Sequence, residues 1–191
     1  MERAKKKLEE EVLRMHERVD ELKESPVMRE LNEIFQQGLK LISPEEMTGA
    51  LRGKFSILQQ METMFKNASQ RIDIVTTPEG MNELLNNHLE VLKKAKERGV
   101  EIKIATNSIE KCADAVKALG NTAEIRTVDE KELPLQGRFF VVDGKQLVFG
   151  LTDSKVHSTQ DIVLWSKSEH AAGDVLEPLF KLVWTHSKPV S

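Results

Sequence analysis

A single cysteine, Cys112, in 191 residues excludes an internal disulfide and leaves no set of thiolates for a cysteine-built zinc site. No apolar run approaches the length needed to cross a bilayer, and the first residues are too charged for a secretory leader. The chain therefore reads as cytoplasmic, without a membrane partner, and the sequon Asn67-Ala68-Ser69 has no secretory context. Basic charge is not in excess either: 28 Lys and Arg face 31 Asp and Glu, for a formal net charge of −3, so nothing advertises direct nucleic-acid binding. The compact signatures H-E-x-x-H, G-x-S-x-G, G-x-G-x-x-G and Cys-x-x-Cys are missing. Gly49 to Lys54 approaches a phosphate-binding loop, but it is one spacer short and has Phe55 where Ser or Thr would ligate magnesium. No catalytic residue, metal ligand or cofactor is assigned, and there is no internal repeat or low-complexity tract.

What is there begins with a heptad pattern. Between Ala4 and Glu24, the residues Leu8, Val12, Met15, Val19 and Leu22 alternate steps of four and three among charged neighbours, the seam of a two-stranded coiled coil. This predicts a homodimer held in part through residues 1–25. The flanking charges leave a parallel or an antiparallel pair open, and the seam is too short to sustain a dimer unaided. Ser25-Pro26, a cap followed by a proline at the first helical position, starts a connecting helix over 26–44. Its apolar face of Val27, Met28, Leu31, Ile34, Phe35, Leu39 and Ile42 is broad.

Residues 45–191 form the main domain. Met47 to Arg52 reads as a short first strand and Lys54 to Ala68 as a helix. A regular alternation follows: strand 71–77, helix 79–98, strand 100–106, helix 108–119 closed by Gly120, strand 123–128. Such spacing implies parallel βαβ units with helices packed on the sheet. Cys112 shares core spacing with Ile109, Val116 and Leu119 and reads as a buried small hydrophobe. Asp129 to Pro134 is irregular. Thr152 to Gln160 is a polar loop, Asp161 to Trp165 a strand, and Ser168 caps a last helix whose apolar residues include Val175, Leu176, Leu179, Phe180 and Val183. Pro178 is expected to kink that helix on its solvent side. The fold class is α/β, a mixed sheet with helices on both faces, preceded by the N-terminal coiled-coil helix.

The most informative stretch is LQGRFFVVDGKQLVFGLTD, residues 135–153. Two β-branched and aromatic runs joined by Asp143-Gly144 make a β-hairpin with a two-residue turn. Its spacing is similar to the H-x-K-x4-D-x6-G-[ST] hairpin of phospholipase D-type phosphodiesterases, with Gln136, Arg138, Asp143 and Gly150 on that register. In that family the histidine attacks phosphorus and the lysine neutralises phosphoryl charge. Gln136 has no nucleophilic nitrogen, so the resemblance implies a domain that retains the frame without covalent catalysis. Arg138 keeps a fork of donors suited to a phosphate or a carboxylate. The same residues are also explained as a good turn and a surface cation beside a strand.

Ligands of open α/β sheets gather outside the carboxyl ends of the strands. Those ends carry Thr76 and Thr77, then Asn107 and Ser108, each before a helix N-terminus. With Gln136, Arg138, Thr152 and Asp153 they form the candidate ligand-binding set, although Thr77 and Ser108 serve equally as helix caps. His157 is the histidine in a loop near that rim.

The order of parts, together with the ending DIVLWSKSEHAAGDVLEPLFKLVW, resembles the effector half of the TrmB family of transcriptional regulators. That resemblance implies a phospholipase D-like domain that senses a small molecule, a sugar or an anion, and a coiled coil that dimerises. It implies DNA contact only through a winged-helix domain, which does not precede the coiled coil in these residues. The chain is then a fragment of a longer regulator or a stand-alone effector domain. The competing readings are a phosphodiesterase or nuclease with an unorthodox nucleophile, such as His157, and an oligomerisation scaffold without ligand.

Overall fold

The computed structural model describes residues 11–12, 14–16, 18–21, 25–29, 48–131, 133, 137–153 and 156–190. The chain divides into two compact units, Met1–Ser43 and Pro44–Ser191. In the first, the described residues from 11 to 21 are helical, with Val12, Met15 and Val19 exposed to solvent. Leu8 and Leu22 of the predicted seam lie outside the described residues, as does the connecting helix beyond Arg29. Ser25 caps the start of that helix: the Met28 amide donates to its Oγ at 3.2 Å.

The second unit contains one eight-stranded sheet. Its elements run β1 (Thr48–Arg52), α1 (Lys54–Asn67), β2 (Arg71–Thr76), α2 (Pro78–Glu97), β3 (Glu101–Thr106), a 3₁₀ turn (Ile109–Cys112), α3 (Ala113–Leu119), β4 (Glu124–Val128), β5 (Phe139–Val142), β6 (Gln146–Gly150), β7 (Ile162–Ser166), a π-helix (His170–Leu176), α4 (Glu177–Thr185) and β8 (Ser187–Pro189). The strand order is β1-β7-β6-β5-β2-β3-β4-β8. Parallel pairing is confined to β2, β3 and β4, the strands whose crossovers carry helices long enough to return the chain. The remaining pairs are antiparallel.

Period-two alternation along the strands feeds two cores. On one face Ile72, Ile74, Ile102, Ile104, Phe140 and Val148 pack under α1, α2 and α3 through Phe65, Met81, Leu84, Leu92 and Leu119. On the other, Val75, Ala105, Phe139, Val141 and Leu147 meet Ala172, Leu176, Phe180 and Val183 of the C-terminal helix. The sheet is therefore covered on both faces, as the alternation predicts. Cys112 is buried, and burial raises the pKa of its thiol, with a smaller push from Glu110 and Glu79.

The β5–β6 hairpin turns through Asp143 and Gly144, both at positive φ, 55° and 67°, the backbone of a type I′ turn. The turn is anchored as well as bent. The Asp143 carboxylate accepts from the Ser69 amide and hydroxyl, each at 2.9 Å, and from the Gln70 and Arg71 amides at 2.8 and 2.9 Å.

Three features depart from the sequence expectation. The segment 108–119 is not one helix, because Ser108 sits at φ 43° and only a 3₁₀ turn precedes α3. Ahead of Pro178 the chain winds as a π-helix, and the Glu177 amide at its end donates to the carbonyl of Ala172, five residues back. The proline then falls in the first turn of α4, where its missing N–H is tolerated. Finally, Val175, Leu179 and Leu182 are exposed, so the apolar face that reaches the core is narrower than the sequence pattern.

Candidate functional site

The strand register brings one end of the sheet together. Val75 near the end of β2 pairs with Phe139 at the start of β5, Gly150 at the end of β6 pairs with Val163 near the start of β7, and Arg52 at the end of β1 pairs with Ile162. The N-termini of α1 and α2 follow directly from β1 and β2. A cavity of about 100 Å³ lies there, lined by Lys54, Thr77, Glu79, Gly80, Glu83, Arg138, Thr152, Asp153, Val156, Ser158 and Asp161. This is well under the roughly 300–1,000 Å³ of typical ligand pockets and leaves the room of a compact polar molecule.

Of the predicted set, Thr77, Arg138, Thr152 and Asp153 line this cavity. Thr77 also caps α2, its Oγ1 accepting from the Gly80 amide at 3.3 Å. Thr76 and Asn107 are buried and do not line it. Ser108 lies one strand away and donates from its hydroxyl to Glu130 at 2.7 Å. Gln136 lies outside the described residues. His157 is exposed and held within its own loop, with Nδ1 2.9 Å from the Thr159 hydroxyl.

Arg138 is already engaged. An open fork would suit an anion or hydroxyl anchor, but its guanidinium pairs with the Asp161 carboxylate, and Glu83 stands 3.8 Å from its Nη1. The other Asp161 oxygen accepts from the Thr152 hydroxyl at 2.5 Å. The Ile162 amide donates to Thr152 Oγ1 at 3.2 Å, which fixes the hydroxyl as a relay. Glu83 in turn pairs with Lys54 at 2.8 Å. Both guanidinium and carboxylate are largely shielded, with side-chain exposures of 19% and 15%, so solvent competes weakly for the pair. The physical reason is reach: Asp161 immediately precedes β7, a strand two places from β5, and no local spacing announces that it faces Arg138.

The glycines around the cavity have steric causes. A Cβ on Gly150 would fall 2.7 Å from Arg138 Cγ and 3.3 Å from the Arg138 carbonyl, and one on Gly80 only 2.0 Å from Thr76 Oγ1. Thr76 Oγ1 is buried without a hydrogen-bond partner beneath that glycine. On the hairpin register, then, Asp143 ties the turn to β2, Arg138 is pinned, and Gly150 clears space for Arg138. For Asp143, burial alone would raise the carboxyl, but the amides of Arg71, Gln70 and Ser69 and the Ser69 hydroxyl outweigh it and hold the group below the usual carboxylate range.

Sequence reasoning missed Lys54, Glu79, Gly80, Glu83, Val156, Ser158 and Asp161 as cavity residues. The available signal was topological: Lys54, Glu79 and Gly80 lie in the first turns of helices, and Asp161 immediately precedes a strand, at the sheet end already singled out. Four carboxylates and two cations line the cavity, and among the described residues no group of His, Cys, Asp and Glu is arranged to hold a metal ion. No helix of the described residues is long and apolar enough to cross a membrane.

Comparison with known proteins bears on this geometry. The family model described as "Transcriptional regulator TrmB, EBD N-terminal subdomain" matches residues 50–190. No curated protein matches the sequence. Among solved structures, the archaeal chromatin protein TrmBL2 is similar with a TM-score of 0.57 and 19% identity, covering 96% of this chain and 70% of its own. The phospholipase D family member Nuc from Salmonella typhimurium has a TM-score of 0.58 and 17% identity, over 75% of this chain and 99% of its own. NucT from Helicobacter pylori gives 0.59 and 8%, again over 75% and 99%. At these identities the likeness establishes the phospholipase D-like fold.

Proposed function

Since this chain belongs to the TrmB family of transcriptional regulators, we propose that it is a ligand-sensing, non-enzymatic module of such a regulator, with its effector in the cavity at the ends of β2 and β6. The carrying observation is the state of Arg138: the cation on the phosphodiesterase register is neutralised by Asp161. A cation so pinned serves to shape a binding wall more than to stabilise charge developing on a phosphoryl group. Among the described residues, the lining offers hydroxyls and carboxylates but no imidazole or thiol for covalent attack. Hydroxyl-rich uncharged molecules, sugars among them, suit such a wall, because carboxylate oxygens and a fixed arginine supply directed acceptors and donors.

In this reading the ligand shifts the relation of two subunits, and the N-terminal helix passes that change on. DNA contact belongs to a winged-helix domain and not to this α/β domain. TrmBL2 is described as a DNA-binding chromatin protein, which supports the regulatory setting.

The test is a thermal-shift screen of uncharged sugars and polyols, sugar phosphates and nucleotides on the native chain and on Arg138→Ala, paired with a hydrolysis assay on bis-p-nitrophenyl phosphate and DNA. The proposal expects an uncharged stabilising compound whose effect Arg138→Ala weakens, and no hydrolysis above a heat-inactivated control. Hydrolysis abolished by His157→Ala would replace the proposal with the enzyme reading.

A further inference from the structure

We propose that this cavity is an oxyanion site filled by the protein's own carboxylates, and that Asp161 and Glu83 thereby decide the charge class of ligand admitted. Three donors converge on it: the Arg138 guanidinium, the Lys54 ammonium and the Thr152 hydroxyl. Such a trio suits a tetrahedral oxyanion, with a fork, a point charge and a neutral donor. Each is already engaged. Asp161 takes Arg138 with one oxygen and Thr152 with the other, while Glu83 takes Lys54 at 2.8 Å and stands 3.8 Å from Arg138.

The two carboxylates come from separate elements, α2 and the residue just before β7, so two independent side chains meet the donors that an oxyanion would use. An entering phosphate would have to displace both, and would meet Glu79 and Asp153 on the same wall. With both cations paired to carboxylates and four carboxylates present, like-charge repulsion at contact distance excludes anions. An uncharged ligand meets no such barrier and can hydrogen-bond to carboxylate lone pairs left open. For its biological sense the inference rests on the proposed sensing role, but the chemistry of the site stands apart from it.

The experiment titrates inorganic phosphate, and separately sulfate, by calorimetry at low ionic strength into the full chain and four variants: Glu83→Gln, Asp161→Asn, the pair together, and the pair with Arg138→Ala. The wild-type chain should give no saturable signal. The double variant should bind phosphate at least about tenfold more tightly than the wild type, and adding Arg138→Ala should remove that gain. Circular dichroism and tryptophan fluorescence establish that each variant is folded. Should Asp161→Asn fail to fold, Glu83→Gln alone still frees Lys54, from a side chain one-third exposed (33%), and a gain in phosphate affinity is expected there too. The inference is overturned if folded Glu83→Gln or the folded double variant gains nothing, or if the wild type already binds phosphate as tightly as the double variant. Because the probe is phosphate, failure to find an uncharged effector leaves this readout unaffected.

Discussion

Removing the Asp143 carboxylate tests how far the hairpin turn depends on its anchor. In the native chain this group accepts four hydrogen bonds, from the Ser69 amide and hydroxyl and from the Gln70 and Arg71 amides. A hydrogen bond to a charged acceptor contributes about 1.5–3 kcal/mol, but the Ser69 and Gln70 donors are exposed and water replaces part of what is lost. Asp143→Asn keeps one acceptor oxygen and tolerates the positive φ, so it should cost about 1–2 kcal/mol. Asp143→Ala loses every acceptor and the left-handed preference, for about 2–4 kcal/mol. For a domain of this size the melting temperature of the alanine variant should fall by roughly 5–15 °C.

The pH dependence follows with a definite sign. Because the folded carboxyl is held below its ordinary value, its contribution is present above the unfolded value near about 3.9 and is lost as pH falls through the folded value. The stability gap between wild type and Asp143→Asn should therefore narrow on acidification below about pH 3.9. Urea unfolding monitored by tryptophan fluorescence gives the gap at each pH. An alanine variant as stable as the asparagine variant, or a gap that widens in acid, would refute the anchor.

Three further outcomes follow from the same geometry. His88 is 2% exposed, with both ring nitrogens unpartnered and its ring edge-on to Phe65 at 5.4 Å; burial lowers its pKa, with Glu62 and Glu83 opposing. Below about pH 6.5 the unfolded chain takes up that proton first, so stability should fall by at most about 1.4 kcal/mol per pH unit down to the folded value, a slope that His88→Gln should flatten in urea unfolding. Gly150→Ala forces its new Cβ against the pinned Arg138 and should cost about 1–3 kcal/mol, read by the same unfolding assay; a neutral result would mean that the Arg138 pair yields freely. Val12→Asp with Val19→Asp should shift sedimentation toward the monomer, and an unchanged species would assign association to the α/β domain.

Local chemistry in the sequence is legible where a short segment decides its own conformation. Asp143-Gly144 demands a primed turn, Ser25-Pro26 a helix start, and the spacing between residues 71 and 128 a parallel βαβ core. The strand β8 was not legible, since Ser187-Lys188-Pro189 carries no β-branched residue and proline survives there because the strand lies on the edge of the sheet. Nor was the π-helix His170–Leu176, since Ala172, Leu176 and Phe180 keep a spacing that an ordinary α-helix would satisfy equally. The hairpin register located Arg138, but its partner depended on strand order: Asp161 reaches Arg138 because β7 lies beside β6 and β6 beside β5. The ring contact of His88 was hidden for a related reason. The i±4 spacing to Leu84 and Leu92 puts His88 on the buried face of α2, but nothing local shows that Phe65 would lie over it.

The claim that this cavity binds an effector is tested most directly by calorimetry with the uncharged compounds that raise the melting temperature, on wild type and on Ser158→Phe. Ser158 lines the cavity from an exposed loop position, so phenylalanine there fills the space while leaving the Arg138–Asp161–Thr152 contacts in place. The account predicts saturable binding by the wild type and its loss in Ser158→Phe at an unchanged melting temperature without ligand. Binding that survives the filled cavity would contradict it and place the effector elsewhere on the domain.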